Sequence, residues 1–290
     1  MMPRPTPPPS GHPPADEPAR DVGVRTAETL RLQGGVASPA RDEIAVELPL
    51  EVRLNGEPFS VIMRTPGADV DLALGFLFSE GVLRGAPDVD RVDSDREAGV
   101  VNVLVRRGRA DAVSQALSDR RQVAMNSSCG LCGRRSLASL SLDAPALPVT
   151  WTVDAGTVSG LPLALHGAQP VFARTGGLHA AGLFDPEGRL EAGTEDVGRH
   201  NAVDKLVGRA LADGRLPLGQ SLLCVSGRSS FEIVQKAWLA GIPLVAAVSA
   251  PSSLAIDLAQ QAGITLLGFV RDGRCNVYAH AGRVRPAAGA

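Results

Sequence analysis

Two rhythms of apolar residues divide the chain. From Asp42 to Thr65 the pattern is strand-like, in Ile44-Ala-Val-Glu-Leu48, Glu51-Val-Arg-Leu54 and Phe59-Ser-Val-Ile-Met63, with the two-residue alternation of half-buried strands. Asn55-Gly56 separates two of these runs, and Asn-Gly between alternating segments signals a two-residue hairpin turn. The period then changes. Between Asp69 and Leu83, Val70, Leu74, Leu77 and Phe78 fall on one side of an amphipathic helix. Gly99 to Arg106 predicts another strand, and Asp111 to Arg120 another helix.

Pro145, Pro148 and Pro162 mark a looser connection into a second half of different character. Strands are expected at Pro170–Arg174 and Ala180–Phe184, with Pro186-Glu-Gly188 turning the chain back into Leu190. A helix is expected from about Asp196 to Asp213, burying Val203, Leu206, Val207, Ala210 and Leu211. Strands at Leu222–Val225, Leu244–Val248 and Thr265–Phe269 then alternate with helices at Ser229–Ala240 and Ser253–Ala262. Such alternation builds an α/β fold, with a partly parallel sheet covered by helices.

Composition sets limits on this picture. The chain has 290 residues, 44% apolar and 21% charged, enough for one large or two modest domains. Its opening, through about Arg20, is Pro-rich and cannot bury a core. The expected organisation is a disordered head over 1–40, a smaller N-terminal α+β region over 41–122, a mobile loop over 123–136 and a larger domain over 150–285. A net charge of −2 argues against a nucleic-acid binder that relies on a general basic field. Residues 1–20 hold no apolar signal region, and no apolar run reaches the length of a membrane helix. A cytoplasmic location with no membrane partner follows as an expectation, and exposed sheet edges make a homodimer plausible.

The sharpest chemical feature is Cys129-Gly-Leu-Cys132, beside Arg134 and Arg135 in a chain with four cysteines. Thiolate is the reactive form of cysteine, and nearby positive charge favours it. Gly130 and Gly133 let the backbone turn tightly, and Arg134 to Leu142 predicts a short helix. Cys224 and Cys275 sit in apolar surroundings and read as small core residues. Redox pairs and half zinc sites share the CxxC spacing. A structural zinc site needs four ligands, and the sequence shows no second close pair. A thioredoxin-like strand before the motif is also missing, which weighs against a thiol–disulfide oxidoreductase.

Other candidates lie at strand ends. Val225-Ser-Gly-Arg-Ser-Ser-Phe231 and Val248-Ser-Ala-Pro-Ser-Ser-Leu254 each set small hydroxyl residues where a strand passes into a helix. Free amides there suit an anion, and ligands of open α/β sheets bind outside these carboxyl ends. Plain N-capping by Ser229, Ser252 or Ser253 is the alternative. Arg271 and Arg274 bracket a turn at Asp272-Gly273, either as phosphate ligands or as a solvated hairpin. Within Glu195-Asp-Val-Gly-Arg-His-Asn-Ala-Val-Asp-Lys205, Asp196, His200 and Asp204 would share one helix face, and Glu195 and Arg199 would form a second pair. His179 stands in a glycine-flexed loop, Thr175-Gly-Gly-Leu-His-Ala-Ala-Gly182. A deaminase zinc site would need a glutamate where Ala181 stands.

The strings Asn126–Cys132, Thr175–Gly182, Glu195–Gly208, Ser226–Gly241 and Val248–Arg274 resemble the formate dehydrogenase accessory sulfurtransferase family, over about residues 40 to 282. The resemblance implies a larger domain of cytidine-deaminase type without its zinc chemistry. It implies transfer of persulfide sulfur from a cysteine desulfurase to the molybdenum cofactor in its bis(molybdopterin guanine dinucleotide) form, in the service of formate dehydrogenase. It makes Cys129 the persulfide carrier and Cys132 its partner. Phe269, Val270, Arg271, Asp272, Gly273 and Arg274 match its cofactor-binding segment. A chaperone that binds the cofactor without transferring sulfur is the alternative.

Overall fold

Short apolar runs become central strands when both of their faces are covered, and three such runs organise the C-terminal half. In a computed structural model, which describes residues 23–106, 108, 113, 115, 144–148 and 150–286, they are β10 (Leu222–Val225), β11 (Leu244–Ala247) and β12 (Thr265–Arg271). They lie parallel to one another, in the order β12-β11-β10. β8 (His179–Phe184) and β9 (Leu190–Asp196) continue the sheet antiparallel beyond β10, and β13 (Arg274–Ala279) closes the other edge. Side chains alternate between two cores: Leu223, Val225, Val245 and Ala247 face one, Leu222, Cys224, Leu244 and Ala246 the other.

The second of these cores is closed by α2 (Ala155–His166), the first by α4 (Arg199–Ala212), α5 (Phe231–Leu239) and α6 (Ser253–Ala262). α4 also carries the N-terminal half. There β3 (Leu48–Leu54), β4 (Glu57–Arg64), β5 (Val89–Asp95) and β6 (Val100–Val105) form a sheet ordered β4-β3-β6-β5, and α1 (Asp69–Ser79) packs between it and α4. One apolar core runs from Leu50 and Val103 through α1 to Val245 and Ile264. The two halves therefore do not bury separate cores.

α1 and α4 cross on glycines. A carbon added at Gly75 would stand 2.9 Å from the Gly208 nitrogen and closer still to the Asp204 carbonyl oxygen. One added at Gly208 would stand 2.7 Å from the Gly75 nitrogen and closer to the Asp71 carbonyl oxygen. At the opposite end of the sheet from the serine-rich loops, Arg283 is fully buried, just before β14 (Val284–Arg285), which pairs parallel with β7 (Val153–Asp154). Its guanidinium donates to the carbonyls of Pro148, Pro243 and Gly263 and to Thr265 Oγ1.

Several sequence expectations need correction. Pro170–Thr175 is not a strand but a short helix, α3, with proline in its first turn. Its first amides, Val171 and Phe172, donate to the Glu195 carboxylate at 3.0 and 2.7 Å. Asp196 ends β9, and α4 starts only at Arg199, so Asp196 does not share a helix face with His200 and Asp204, and Glu195 does not pair along a helix with Arg199. Within the head expected to be disordered over 1–40, residues 24–40 instead belong to a hairpin of β1 (Val24–Gln33) and β2 (Val36–Ala45). The sheets and the six labelled helices establish a mixed α/β architecture. Of the helix expected at 111–120, only Val113 and Gln115 are described; both are helical, and Val113 is buried in the first core.

Candidate functional site

The loops that leave β10 and β11 run side by side past the end of the sheet. Val248 N donates to Val225 O, Ser249 N to Gly227 O and Ser252 N to Ser229 O, while Phe269 N donates to Ser249 O at 3.1 Å. The ladder of the strands therefore continues into the loops and fixes three of them relative to one another. Gly268 allows this closeness: a carbon added there would stand 2.9 Å from Pro251 Cδ and 3.1 Å from Ser249 O.

Each serine has its own role. Ser252 caps α6, accepting from Ala255 N at 3.3 Å. Ser226 Oγ accepts from Ala180 N at 2.9 Å, tying the loop to β8. Ser230 occupies the N-cap position of α5 without capping it; its hydroxyl meets His200 Nε2 at 3.1 Å, and His200 Nδ1 faces Glu232 at 3.1 Å. Ser229 is fully buried, and its Oγ has no hydrogen-bond partner among the described residues. The capping alternative thus holds for Ser252 and fails for Ser229. A buried hydroxyl left unpaired costs about 1–3 kcal/mol, a cost that a bound polar ligand would offset.

At Gly227, earlier in the same loop, a second set converges. His179 opens β8 and stands opposite Asp196. A carbon added at Gly227 would stand 3.4 Å from His179 Nδ1 and 3.9 Å from Arg199 Cδ. Arg199 begins α4, and its buried Nε also lacks a partner among the described residues. Burial pushes the His179 imidazole below the usual histidine range, Arg199 adds to the shift and Asp196 opposes it. The ring is therefore neutral at pH 7. A cleft of about 520 Å³ opens here, lined by His166, Gln169, Phe172, His179, Ser226 and Val248 among others. The His166 and Phe172 rings meet edge to face at 6.1 Å.

The rest of the polar string at Glu195–Lys205, Arg199 apart, is in contrast largely structural. Asp196 is fully buried, bound to Lys205 Nζ at 2.7 Å, Asn201 Nδ2 at 2.8 Å and Thr65 N at 3.2 Å. Lys205 Nζ also reaches Thr65 O and Glu195 O, and Asn201 Nδ2 reaches Met63 O. These bonds weld the end of β4 to the C-terminal half. Deeper in, Asp204 accepts from Lys236 Nζ and from Ser79 Oγ.

Cys129 and Cys132, with Arg134 and Arg135, lie outside the described residues. Phe269, Val270, Arg271, Asp272, Gly273 and Arg274 are brought together with the serine loops. Phe269 is held at φ 53°, an unusual conformation for a bulky residue, and is 36% exposed. Val270 is buried and anchors the turn. Arg271 and Arg274 pair across Asp272-Gly273, whose φ values of 52° and 74° make a tight hairpin turn, and both arginines are exposed. Gln169 and Phe172 were not foreseen, because the stretch that carries them reads as a strand. Among the described residues no cluster of His, Cys, Asp and Glu could hold a metal ion, and no helix is long and apolar enough to cross a membrane.

Fold and site together define an α/β protein whose polar loops gather at the carboxyl edge of a six-stranded mixed sheet, above a cleft lined by a neutral histidine; beside Gly227, next to that histidine, stands an arginine whose Nε has no partner among the described residues. The family model described as FdhD/NarQ matches residues 45–285, and the chain belongs to that family. Sulfur carrier proteins FdhD of Streptomyces avermitilis and Anaeromyxobacter dehalogenans are each 49% identical to it, covering 89% and 92% of this chain and 94% and 96% of theirs. That of Mycobacterium tuberculosis is 48% identical over 84% of this chain and 92% of its own. A crystal structure of a putative formate dehydrogenase accessory protein from Desulfotalea psychrophila shares the fold, with a TM-score of 0.73 at 24% identity, covering 90% of this chain and 99% of that one.

Proposed function

We propose that this protein is a cytoplasmic sulfur carrier in formate dehydrogenase maturation, which takes persulfide sulfur from a cysteine desulfurase on Cys129 and passes it to the bis(molybdopterin guanine dinucleotide) molybdenum cofactor. The observation that carries this reading is identity of 48–49% over most of the chain to proteins named as sulfur carriers. The described cysteines support it by elimination. Burial pushes the Cys224 thiol up to about 12 and raises that of Cys275 as well, so neither offers a thiolate at neutral pH.

In the proposed reaction the Cys129 thiolate attacks the terminal sulfur of the donor persulfide. The donor leaves as a thiolate and Cys129 becomes Cys129–S–SH. Delivery as hydrosulfide needs two electrons. Cys132 supplies them by attacking the inner sulfur, which forms the Cys129–Cys132 disulfide and releases hydrosulfide. Direct hand-over of the terminal sulfur atom instead leaves a Cys129 thiolate.

The cofactor is the cargo, and its anionic nucleotide arms suit the strand-end loops. Ser229 Oγ and Arg199 Nε are unpaired there among the described residues, and Arg271 and Arg274 stand exposed at the neighbouring turn. The finer fold reading, a deaminase-type larger domain, agrees with a mixed sheet whose ligand edge bears His179 and, in place of a catalytic glutamate, Ala181.

Two measurements test the proposal. Incubation with a cysteine desulfurase and cysteine should add about 32 Da, reducible, to the intact wild-type chain and to Cys132→Ala, but not to Cys129→Ala. No gain in any form, with the cofactor still bound, would favour the chaperone alternative. Arg274→Ala should weaken binding of guanosine monophosphate, as a probe of the nucleotide arm, by roughly 10-fold or more, the worth of one charge-assisted hydrogen bond. Unchanged affinity in calorimetry would remove that turn from the binding site.

A further inference from the structure

Two helices start at the serine-loop end of the six-stranded sheet and bring three polar side chains into line there. His200 is the second residue of α4 and Glu232 the second of α5. Ser230 immediately precedes α5, on the loop that leaves β10. Ser230 Oγ lies 3.1 Å from His200 Nε2, and His200 Nδ1 lies 3.1 Å from a Glu232 carboxylate oxygen. None of the three enters the sulfur chemistry proposed above.

The order hydroxyl, imidazole, carboxylate is that of a nucleophile, its general base and the group that orients the base. A carboxylate at Nδ1 holds the ring proton on that nitrogen and leaves the Nε2 lone pair for the serine O–H. Burial suits these roles. His200 is 7% and Glu232 8% exposed, so water competes little for their bond. Ser230 is only half-buried, within reach of a substrate from solvent.

A plain anchor between two helices would need only the histidine and the carboxylate. Ser230 shows that more is built here. A serine at an N-cap position ordinarily accepts from an amide of the first turn. Ser230 forgoes that bond and meets the imidazole instead. No side chain therefore caps the first amides of α5, which stand next to the hydroxyl as donors for an oxyanion. A serine placed where a strand turns into a helix is also well set to present its hydroxyl beyond the sheet.

We infer that Ser230, His200 and Glu232 form a nucleophilic triad for acyl transfer, acting on carboxylic esters or thioesters. Ser230 Oγ attacks the carbonyl carbon and its proton passes to His200 Nε2, while the carbonyl π pair moves onto oxygen beside the α5 amides. The oxyanion collapses, the C–O or C–S bond breaks, and the alcohol or thiol leaves with the proton from His200. Water, deprotonated by His200, then attacks the acyl-serine, and the free acid departs as Ser230 regains its proton. Glu232 is a positioning residue that orients His200 and balances the imidazolium charge. Nothing is oxidised or reduced, and water is the only co-reactant.

An alkyl fluorophosphonate, which phosphonylates activated serines, probes this directly on the folded full chain. Peptide mass analysis should place the label on Ser230 in native protein and not in protein unfolded in urea. His200→Gln should slow labelling about 100-fold or more, the lower bound for a general base. Glu232→Gln should slow it too, each with unchanged circular dichroism. Nitrogen chemical shifts of the His200 ring in the wild type should report the proton on Nδ1. With Cys129 and Cys132 replaced by alanine to silence thiol reactions, hydrolysis of p-nitrophenyl acetate should be lost on adding Ser230→Ala. An unlabelled Ser230 in the wild type overturns the inference, as does equal labelling in His200→Gln. A ring proton on Nε2, or ester hydrolysis that survives Ser230→Ala, overturns it as well and leaves the cluster an anchor between α4 and α5.

Discussion

Replacing Gly208 by alanine should destabilise this protein by about 3 kcal/mol or more, at or above the top of the usual range for an overpacked core. On an isolated helix the same change would gain up to about 1 kcal/mol, since alanine is the better helix former. The sign reverses because α1 and α4 meet backbone to backbone, with the Asp71 carbonyl and the Gly75 nitrogen where the methyl would go. Neither can yield as a flexible side chain can, so one helix must move. That movement would strain the Asp204–Ser79 bond and the apolar contacts around Leu72 and Leu206. Gly75→Ala should do comparable damage, and the double variant less than the sum, since one displacement of the helices relieves both clashes. Urea unfolding followed by tryptophan fluorescence would show this; an unchanged or raised midpoint in Gly208→Ala would mean that the helices do not meet on their glycines.

Lys236→Met should cost about 3–5 kcal/mol at pH 7, because it strands a carboxylate rather than merely deleting a contact. Lys236 Nζ lies 2.7 and 2.8 Å from the two oxygens of Asp204, which is 2% exposed. Burial already raises the Asp204 carboxyl above the usual range, and Lys236 is the largest influence opposing it. Without the lysine that shift grows. The folded variant then holds a proton that the unfolded chain releases, so its stability falls as pH rises above the ordinary aspartate range and recovers on acidification. The gap between variant and wild type should therefore narrow from pH 7 towards pH 5. A second substitution, Asp204→Leu, should restore much of the loss by removing the stranded charge. A gap that stays constant with pH would show that the lysine acts through packing alone.

Legibility differed by element for physical reasons. The central strands carry continuous apolar runs because both faces are covered, and the Asn55-Gly56 turn advertises itself because both residues adopt positive φ, at 52° and 88°. The stretch Pro170–Thr175 misleads because its β-type residues form a helix whose first amides are satisfied from a distance by Glu195, 24 positions away from Val171. Local propensity holds no trace of that bond. Asp196 misleads in the same way, since helical spacing cannot reveal that Gly198 delays the helix to Arg199. The β1–β2 ribbon hides because it buries almost nothing, which leaves its strands without an inward face to pattern. At the site, the loops could be foreseen from serines placed at strand ends. The cleft walls could not, because they come from α2 and α3, far back along the chain.

Arg283 has a consequence for the order in which the molecule is made. Every strand of the six-stranded sheet precedes it in the chain, yet the carbonyls of Pro148, Pro243 and Gly263 converge on its guanidinium. While the ribosome is still adding residues before that point, those oxygens have no cation to receive and the lower rim of the sheet stays open. Proteins of this size fold in stages as they emerge, and here the last fastening is a single late-arriving side chain. A nascent chain stalled short of Arg283 would thus hold every strand of the six-stranded sheet and remain unlatched.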